Sequence, residues 1–284
     1  MPERVLVLGS TGMVGRSWVA MLETMGIEHR ALSRPAFDLS DPESVDRAFD
    51  QPSDLVVNAA AWTDVDGAED DEAGATRANA YAVEQIAQRC VESGAVLITY
   101  STDYVFNGQG ESPYRVDAPV DPINAYGRSK ALGESLLRRV STDHLLIRTS
   151  WVYAPWGKNF VRTMMKLTRE REQLRVVDDQ RGRPTSAPHL AEGSLTLYQA
   201  GAIGTWHLTD SGECSWNRLA CAVRDALDTK CTIEACSSDA FPRPAVRPAY
   251  STLDISATEA QIGRIGSWES RVRSVIADAD TPPR

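Results

Sequence analysis

Val5-Leu6-Val7-Leu8 runs straight into Gly9-Ser10-Thr11-Gly12-Met13-Val14-Gly15, and the chain leaves this segment as Trp18-Val19-Ala20-Met21-Leu22. A short apolar run that breaks into glycines three residues apart and then resumes as a longer apolar stretch reads as strand, tight turn and helix. Gly9 can make the turn, Gly12 leaves room for a pyrophosphate to approach the backbone, and Gly15 lets the helix pack on the strand. Ser10, Thr11, Met13 and Val14 complete a loop whose unpaired amides suit an anion. The spacing is GxxGxxG rather than GxGxxG. Many glycine-rich turns only cap a helix, so the position directly after a first strand is what favours a dinucleotide here.

Further apolar runs alternate with helical patterns, as in repeated strand–helix–strand units. Residues 30–33 read as a second strand, and 55–60, 96–101 and 145–148 as later ones. The expected fold is α/β: a Rossmann-type doubly wound parallel sheet over residues 1–150, with later segments returning to it. Residues 151–284, where prolines cluster from Phe241 to Pro248 and tryptophans recur, read as a smaller, partly interleaved substrate domain. A parallel sheet binds its ligand beyond the carboxyl ends of its strands. Those ends bring Ser33, Ala59, Ala60, Ala61, Thr63 and the residues after Tyr100 toward the glycine turn.

Tyr126 and Lys130 stand four apart in a helical pattern, hence on one face about one turn from each other. An ammonium so placed would lower a phenol's pKa and fit it to trade a proton with an alcohol or sugar oxygen. The chain holds eight tyrosines and only four lysines, yet the spacing alone is merely suggestive; the glycine turn upstream gives it weight. At the end of the second strand, Ser33-Arg34 offers a hydroxyl and a guanidinium where an acidic residue would bind a free ribose hydroxyl. This pair suits a 2′-phosphate, favouring NADPH with NADH still admitted. Asp38 and the adjoining Leu39 read as adenine-side contacts, although Asp38 could equally cap the turn that follows.

Composition sets limits. A net charge of −9 argues against nucleic acid as a partner. No apolar run approaches the roughly 20 residues of a membrane helix, and the N-terminus enters a strand without a signal-peptide pattern, so a cytoplasmic location is expected. Five cysteines without a CxxC point to reduced thiols rather than a disulfide framework or a zinc site. The acidic run at residues 64–72 lacks calcium-loop spacing and reads as a solvated helix start; no metal ligand is assigned.

With these residues in view, the chain resembles the dTDP-4-dehydrorhamnose reductase family of extended short-chain dehydrogenases/reductases. The resemblance extends over nearly the whole length. It rests on Asn58-Ala59-Ala60-Ala61-Trp62-Thr63-Asp64, Ser101-Thr102-Asp103-Tyr104-Val105-Phe106, Pro122 through Lys130, Arg148-Thr149-Ser150-Trp151-Val152-Tyr153, Asn159-Phe160-Val161, Asp179 through Thr185, and Arg247-Pro248. It implies that Thr102 hydrogen-bonds the reacting carbonyl, Tyr126 donates the proton, and Lys130 holds the nicotinamide ribose while tuning Tyr126. It also implies that Asp103 and Trp151 contact the sugar and that Thr63 lies against the cofactor. Tyr100 is grouped with the cofactor contacts, and Asn159, Phe160, Gln180 and Arg247 are expected to meet thymine and diphosphate. The implied substrate is a dTDP-linked 4-keto sugar; another 4-keto-deoxysugar, or a non-catalytic regulatory subunit on the same fold, remains an alternative. Related dehydratases carry Asp-Glu after the threonine, whereas Tyr104 follows Asp103 here, which disfavours elimination. Some reductases of this kind bear a magnesium-holding glutamate shortly after the third glycine. Arg16-Ser17 stands there in this chain, leaving Mg²⁺ dependence and a homodimer open.

Overall fold

A computed structural model describes residues 1–140 and 143–280. Six strands form one sheet: β1 (Arg4–Leu8), β2 (Glu28–Leu32), β3 (Leu55–Asn58), β4 (Val96–Thr102), β5 (His144–Thr149) and β6 (Gly204–His207), in the order β6-β5-β4-β3-β1-β2. Every neighbouring pair is parallel, so the carboxyl ends share one edge. The strands are apolar at successive positions because both faces are covered. Val5, Val7, Val57, Ile98 and Ile147 pack with Trp18, Leu22 and Leu190 on one side. Leu6, Leu8, Val56, Leu97 and Leu146 pack with Val45, Val83, Ile86 and Leu137 on the other.

Strand positions match the sequence reading to within a few residues, apart from β6, whose short Gly-Thr-Trp-His run carries little periodic signal. β6 comes from the second half of the chain and joins the sheet beside β5. A separate core gathers Tyr153, Val161, Met164, Leu219, Val223, Trp268 and Val272. Around it lie helices Phe160–Glu170, Trp216–Ala226 and Trp268–Asp280, with a parallel strand pair, Gln173–Val177 and Thr232–Cys236. Among the described residues no helix is long and apolar enough to cross a membrane.

One charged cluster is buried beneath the site-bearing edge. Glu134 on helix Ala125–Val140 receives Arg148 Nε at 2.8 Å and Nη2 at 2.7 Å, Arg138 Nη2 at 2.7 Å and the Ser101 hydroxyl at 2.6 Å. Arg148 also donates to the Val116 carbonyl at 3.0 Å, and its guanidinium carbon lies 5.1 Å from the centre of the Phe106 ring. Burial by itself raises a carboxyl's pKa, but the hydrogen bond and charge of Arg148 outweigh it and hold Glu134 below its usual value. His207 at the end of β6 is pushed down to about 4 by burial and then by Arg148, so it sits there neutral.

Candidate active site

Gly9 follows β1 at φ +80°, the left-handed region that glycine adopts without strain. A Cβ on Gly15 would lie 2.1 Å from the Gly9 carbonyl oxygen, so the first helix reaches the strand end only because residue 15 has no side chain. Helix Met13–Met25 opens on Gly12 with no side-chain cap and no acidic residue in its first turn. Its leading amides are therefore unpaired and meet no negative charge, which fits a pyrophosphate.

The loop after β3 closes the opposite wall. Asn79 grips it, accepting the Trp62 amide at 2.9 Å and donating to the Trp62 carbonyl at 3.0 Å, while a second bond from Nδ2 reaches Ser129 at 3.0 Å. Asn79 lies in a π-helical stretch, Arg77–Tyr81. A Cβ on Gly133 would fall 2.1 Å from the Asn79 carbonyl oxygen, so this irregular turn presses directly against the helix bearing Tyr126 and Lys130. Thr63 is exposed on the same loop.

Helix Ala125–Val140 is held at its start by side chains. Asn124 accepts the Gly127 amide at 2.8 Å, and Glu69 accepts the Ala125 amide at 2.8 Å. Glu72 takes a two-pronged bond from Arg128 at 2.7 and 2.9 Å. The acidic run is thus more than a solvated helix start: it braces the helix that carries Tyr126. Sequence reasoning missed this because a carboxylate's partner 56 residues away leaves no local signal.

Thr102 ends β4, accepts the Tyr104 amide at 3.1 Å and donates to Asp103 Oδ1 at 3.0 Å. Tyr126 packs edge-on to Tyr104, ring centres 5.9 Å apart. Burial raises the pKa of its phenol; a Thr102 side-chain hydrogen bond opposes the rise and the Asp103 charge adds to it. The lowering by Lys130 expected from the spacing is not what this arrangement produces, since the Lys130 ammonium donates to the Tyr100 carbonyl at 3.0 Å. Burial brings Lys130 itself down to about 8, against the pull of Glu134. Tyr126 is accordingly a fully protonated acid at neutral pH, and Lys130 remains mostly charged beside it.

Several expected ligand contacts are otherwise engaged. The Tyr100 ring turns to the opposite face, accepting from Trp18 Nε1 at 2.7 Å and donating to Ser194 at 3.0 Å, and only its carbonyl faces Lys130. Leu39 is buried in the core, and Asp38 accepts the Ser40 amide at 2.9 Å and so closes a turn. Ser33 is half-buried; Arg34 is exposed, makes no ion pair among the described residues and lends its charge to Asp38.

In the second half, Trp151 takes φ 46° and stacks on Trp216 at 3.6 Å, where Phe160 leans on Trp216 at 4.7 Å. Gln180 accepts Trp216 Nε1 at 3.1 Å and donates to Ser238 at 2.8 Å, so its amide supports the stack. Arg247 donates to Asp66 at 2.9 Å and to the Ala245 carbonyl at 2.9 Å, which anchors its guanidinium locally. Asn159 caps helix Phe160–Glu170 through the Arg162 amide at 3.0 Å, and its Nδ2 meets Met13 Sδ at 3.7 Å. Trp156 from the same loop donates to the Met13 carbonyl at 3.4 Å, bringing this segment over the glycine turn.

A family model described as the RmlD substrate binding domain matches residues 3–281. The chain belongs to the dTDP-4-dehydrorhamnose reductase family. It is 38% identical to the dTDP-4-dehydrorhamnose reductase of Burkholderia thailandensis, over 97% of this chain and 98% of that one. The spore coat polysaccharide biosynthesis protein SpsK of Bacillus subtilis is 39% identical, over 97% of each. Among solved structures, the dTDP-4-dehydrorhamnose reductase of Bacillus anthracis in complex with NADP superposes with a TM-score of 0.94 at 30% identity, covering 98% of this chain and all of that one. Membership in this reductase family makes the chain an NAD(P)H-dependent oxidoreductase, and the parallel sheet with its glycine turn is the frame that such a cofactor requires.

Proposed function

We propose that the protein reduces the C4 ketone of dTDP-4-dehydro-β-L-rhamnose to dTDP-β-L-rhamnose with NADPH, in the cytoplasm. The observation that carries this reading is the convergence of Thr102, Tyr126 and Lys130 at the strand edge that also bears the glycine turn. The bound dinucleotide supplies the hydride; this chain supplies position, donors and a proton. Gly9 to Gly15 and the first helix receive the pyrophosphate, and the segments ending at Ala59–Ala61 and Thr63 wall the nicotinamide side. Hydride addition to a ketone builds negative charge on oxygen, so the hydroxyls of Thr102 and Tyr126 stabilise it, and the Tyr126 proton completes the alcohol. Lys130 holds a positive charge one helical turn away. Residues 151–284 chiefly carry the nucleotide end, with Trp151 against the sugar and Trp216 behind it.

The direct test is incubation with NADPH and the 4-dehydro sugar nucleotide made by the preceding dehydration and epimerisation, following cofactor oxidation and sugar product together. Oxidation with the other C4 epimer as product would overturn the rhamnose assignment; no oxidation with this sugar would point to a different nucleotide-linked 4-keto sugar, and none with any such sugar would remove the catalytic reading.

Cofactor choice is tested at Arg34. Its exposed guanidinium beside Ser33 is suited to a 2′-phosphate, so Arg34→Ala should weaken NADPH by roughly 1.5–3 kcal/mol and leave NADH nearly unchanged. Titration of both cofactors against the variant reads this out, and equal losses would make Arg34 a support of the fold.

A further inference from the structure

Asp103 is 2% exposed, yet no lysine or arginine pairs with it among the described residues. One oxygen, Oδ1, takes the Thr102 hydroxyl at 3.0 Å. The other, Oδ2, is buried with no hydrogen bond of good geometry, although the Ser251 hydroxyl lies near enough to favour the carboxylate. Ser251 itself reaches the Arg181 carbonyl at 3.4 Å. A buried carboxylate without a cation and with a bare oxygen is expensive, and a carboxyl so placed keeps its proton. The groups facing it are the Tyr104 phenol on its own segment, the Tyr126 phenol from helix Ala125–Val140 and the Ser251 hydroxyl from the segment near residue 250. The Arg247–Asp66 ion pair lies beyond Tyr104 and offers nearly balanced charge.

We propose that Asp103 works as a neutral carboxylic acid, its Oδ2 beside the Ser251 hydroxyl, so that no negative charge stands next to the hydroxyls of Thr102 and Tyr126. This rests on the reductase reading and specifies how one of its sugar contacts behaves. The chemical reason is charge: a carboxylate one residue from Thr102 would repel the oxygen that becomes negative during ketone reduction and would make Tyr126 a weaker acid. A neutral acid places no such charge there. The energetics agree, because burial carries Asp103 up to about 7 despite the Ser251 and Thr102 hydrogen bonds. The neutral form is therefore present below that value and is lost as pH rises through it.

Infrared difference spectra of wild type minus Asp103→Asn, recorded without sugar, test the protonation state directly. A protonated-carboxyl band at about pH 5.5 that disappears by about pH 8.5 is expected. Absence of that band at the lower pH would overturn the proposal, whatever sugar the enzyme reduces. Turnover of the rhamnose precursor then tests the role. In wild type, kcat should fall as pH rises through about 7, whereas in Asp103→Asn, which is uncharged at every pH, the fall should begin only where Lys130 titrates, near 8. An unchanged pH profile in a folded Asp103→Asn protein would refute the neutral-acid role.

Discussion

Tyr126→Phe should retain NADPH binding and lower kcat by about 10² to 10⁴, the range a positioned proton donor supplies. The phenol is half-buried, stands edge-on to Tyr104 and is held protonated by burial, so at neutral pH nearly every molecule carries the transferable proton. Removing the hydroxyl changes little else: the ring still packs against the cluster of Ala68, Ala75 and Ala125. The loss should therefore fall on kcat and not on stability or the Kd for NADPH. Because the phenol's pKa is raised, no alkaline limb near neutrality should be traceable to Tyr126 itself. Near wild-type turnover in the variant would take Tyr126 out of the mechanism.

Glu134→Ala should destabilise the protein by about 3–5 kcal/mol, the cost of leaving a buried charge without its partner. Arg148 is 1% exposed, and its two bonds to Glu134 are what make its charge tolerable between β5 and the helix. Urea unfolding should show the loss as a lower midpoint with little change in slope. The same substitution removes the negative charge that helps Lys130 stay protonated, so Lys130 should lose its proton at lower pH. A loss below about 1 kcal/mol, typical of a surface pair, would show that Arg148 finds other compensation.

Much of the frame was legible because it is periodic. The strands from Val5, Leu55, Val96 and Leu145 read from continuous apolar runs, and the glycines from the steric room that a turn needs. Thr102, Tyr126 and Lys130 were legible as residue types at known spacings, although the direction of the Tyr126 shift was not. Burial depends on what the rest of the chain lays over a phenol, and no local spacing encodes it. The protein partners of Gln180 and Arg247 were illegible for a related reason. An amide or guanidinium announces that it will bond, but that Gln180 bonds Trp216 and Arg247 bonds Asp66 is decided by residues 36 and 181 positions away. Arg148 did leave a signal, a lone charge inside Leu-Leu-Ile-Arg-Thr, and its buried partner Glu134 could have been sought from it.

The placement of β6 bears on how this protein could be re-engineered. Its four residues come from beyond position 200, yet they complete the sheet beside β5, and helix Ala187–Gln199 covers one face through Leu190 and Leu195. A fragment ending near residue 150 would leave His144–Thr149 as a bare, apolar edge, the kind that recruits strands from other molecules. The N-terminal half is consequently not an interchangeable cassette. Any chimera that swaps the C-terminal part would have to keep residues 187–207 with the N-terminal half, crossing over on both sides of that segment.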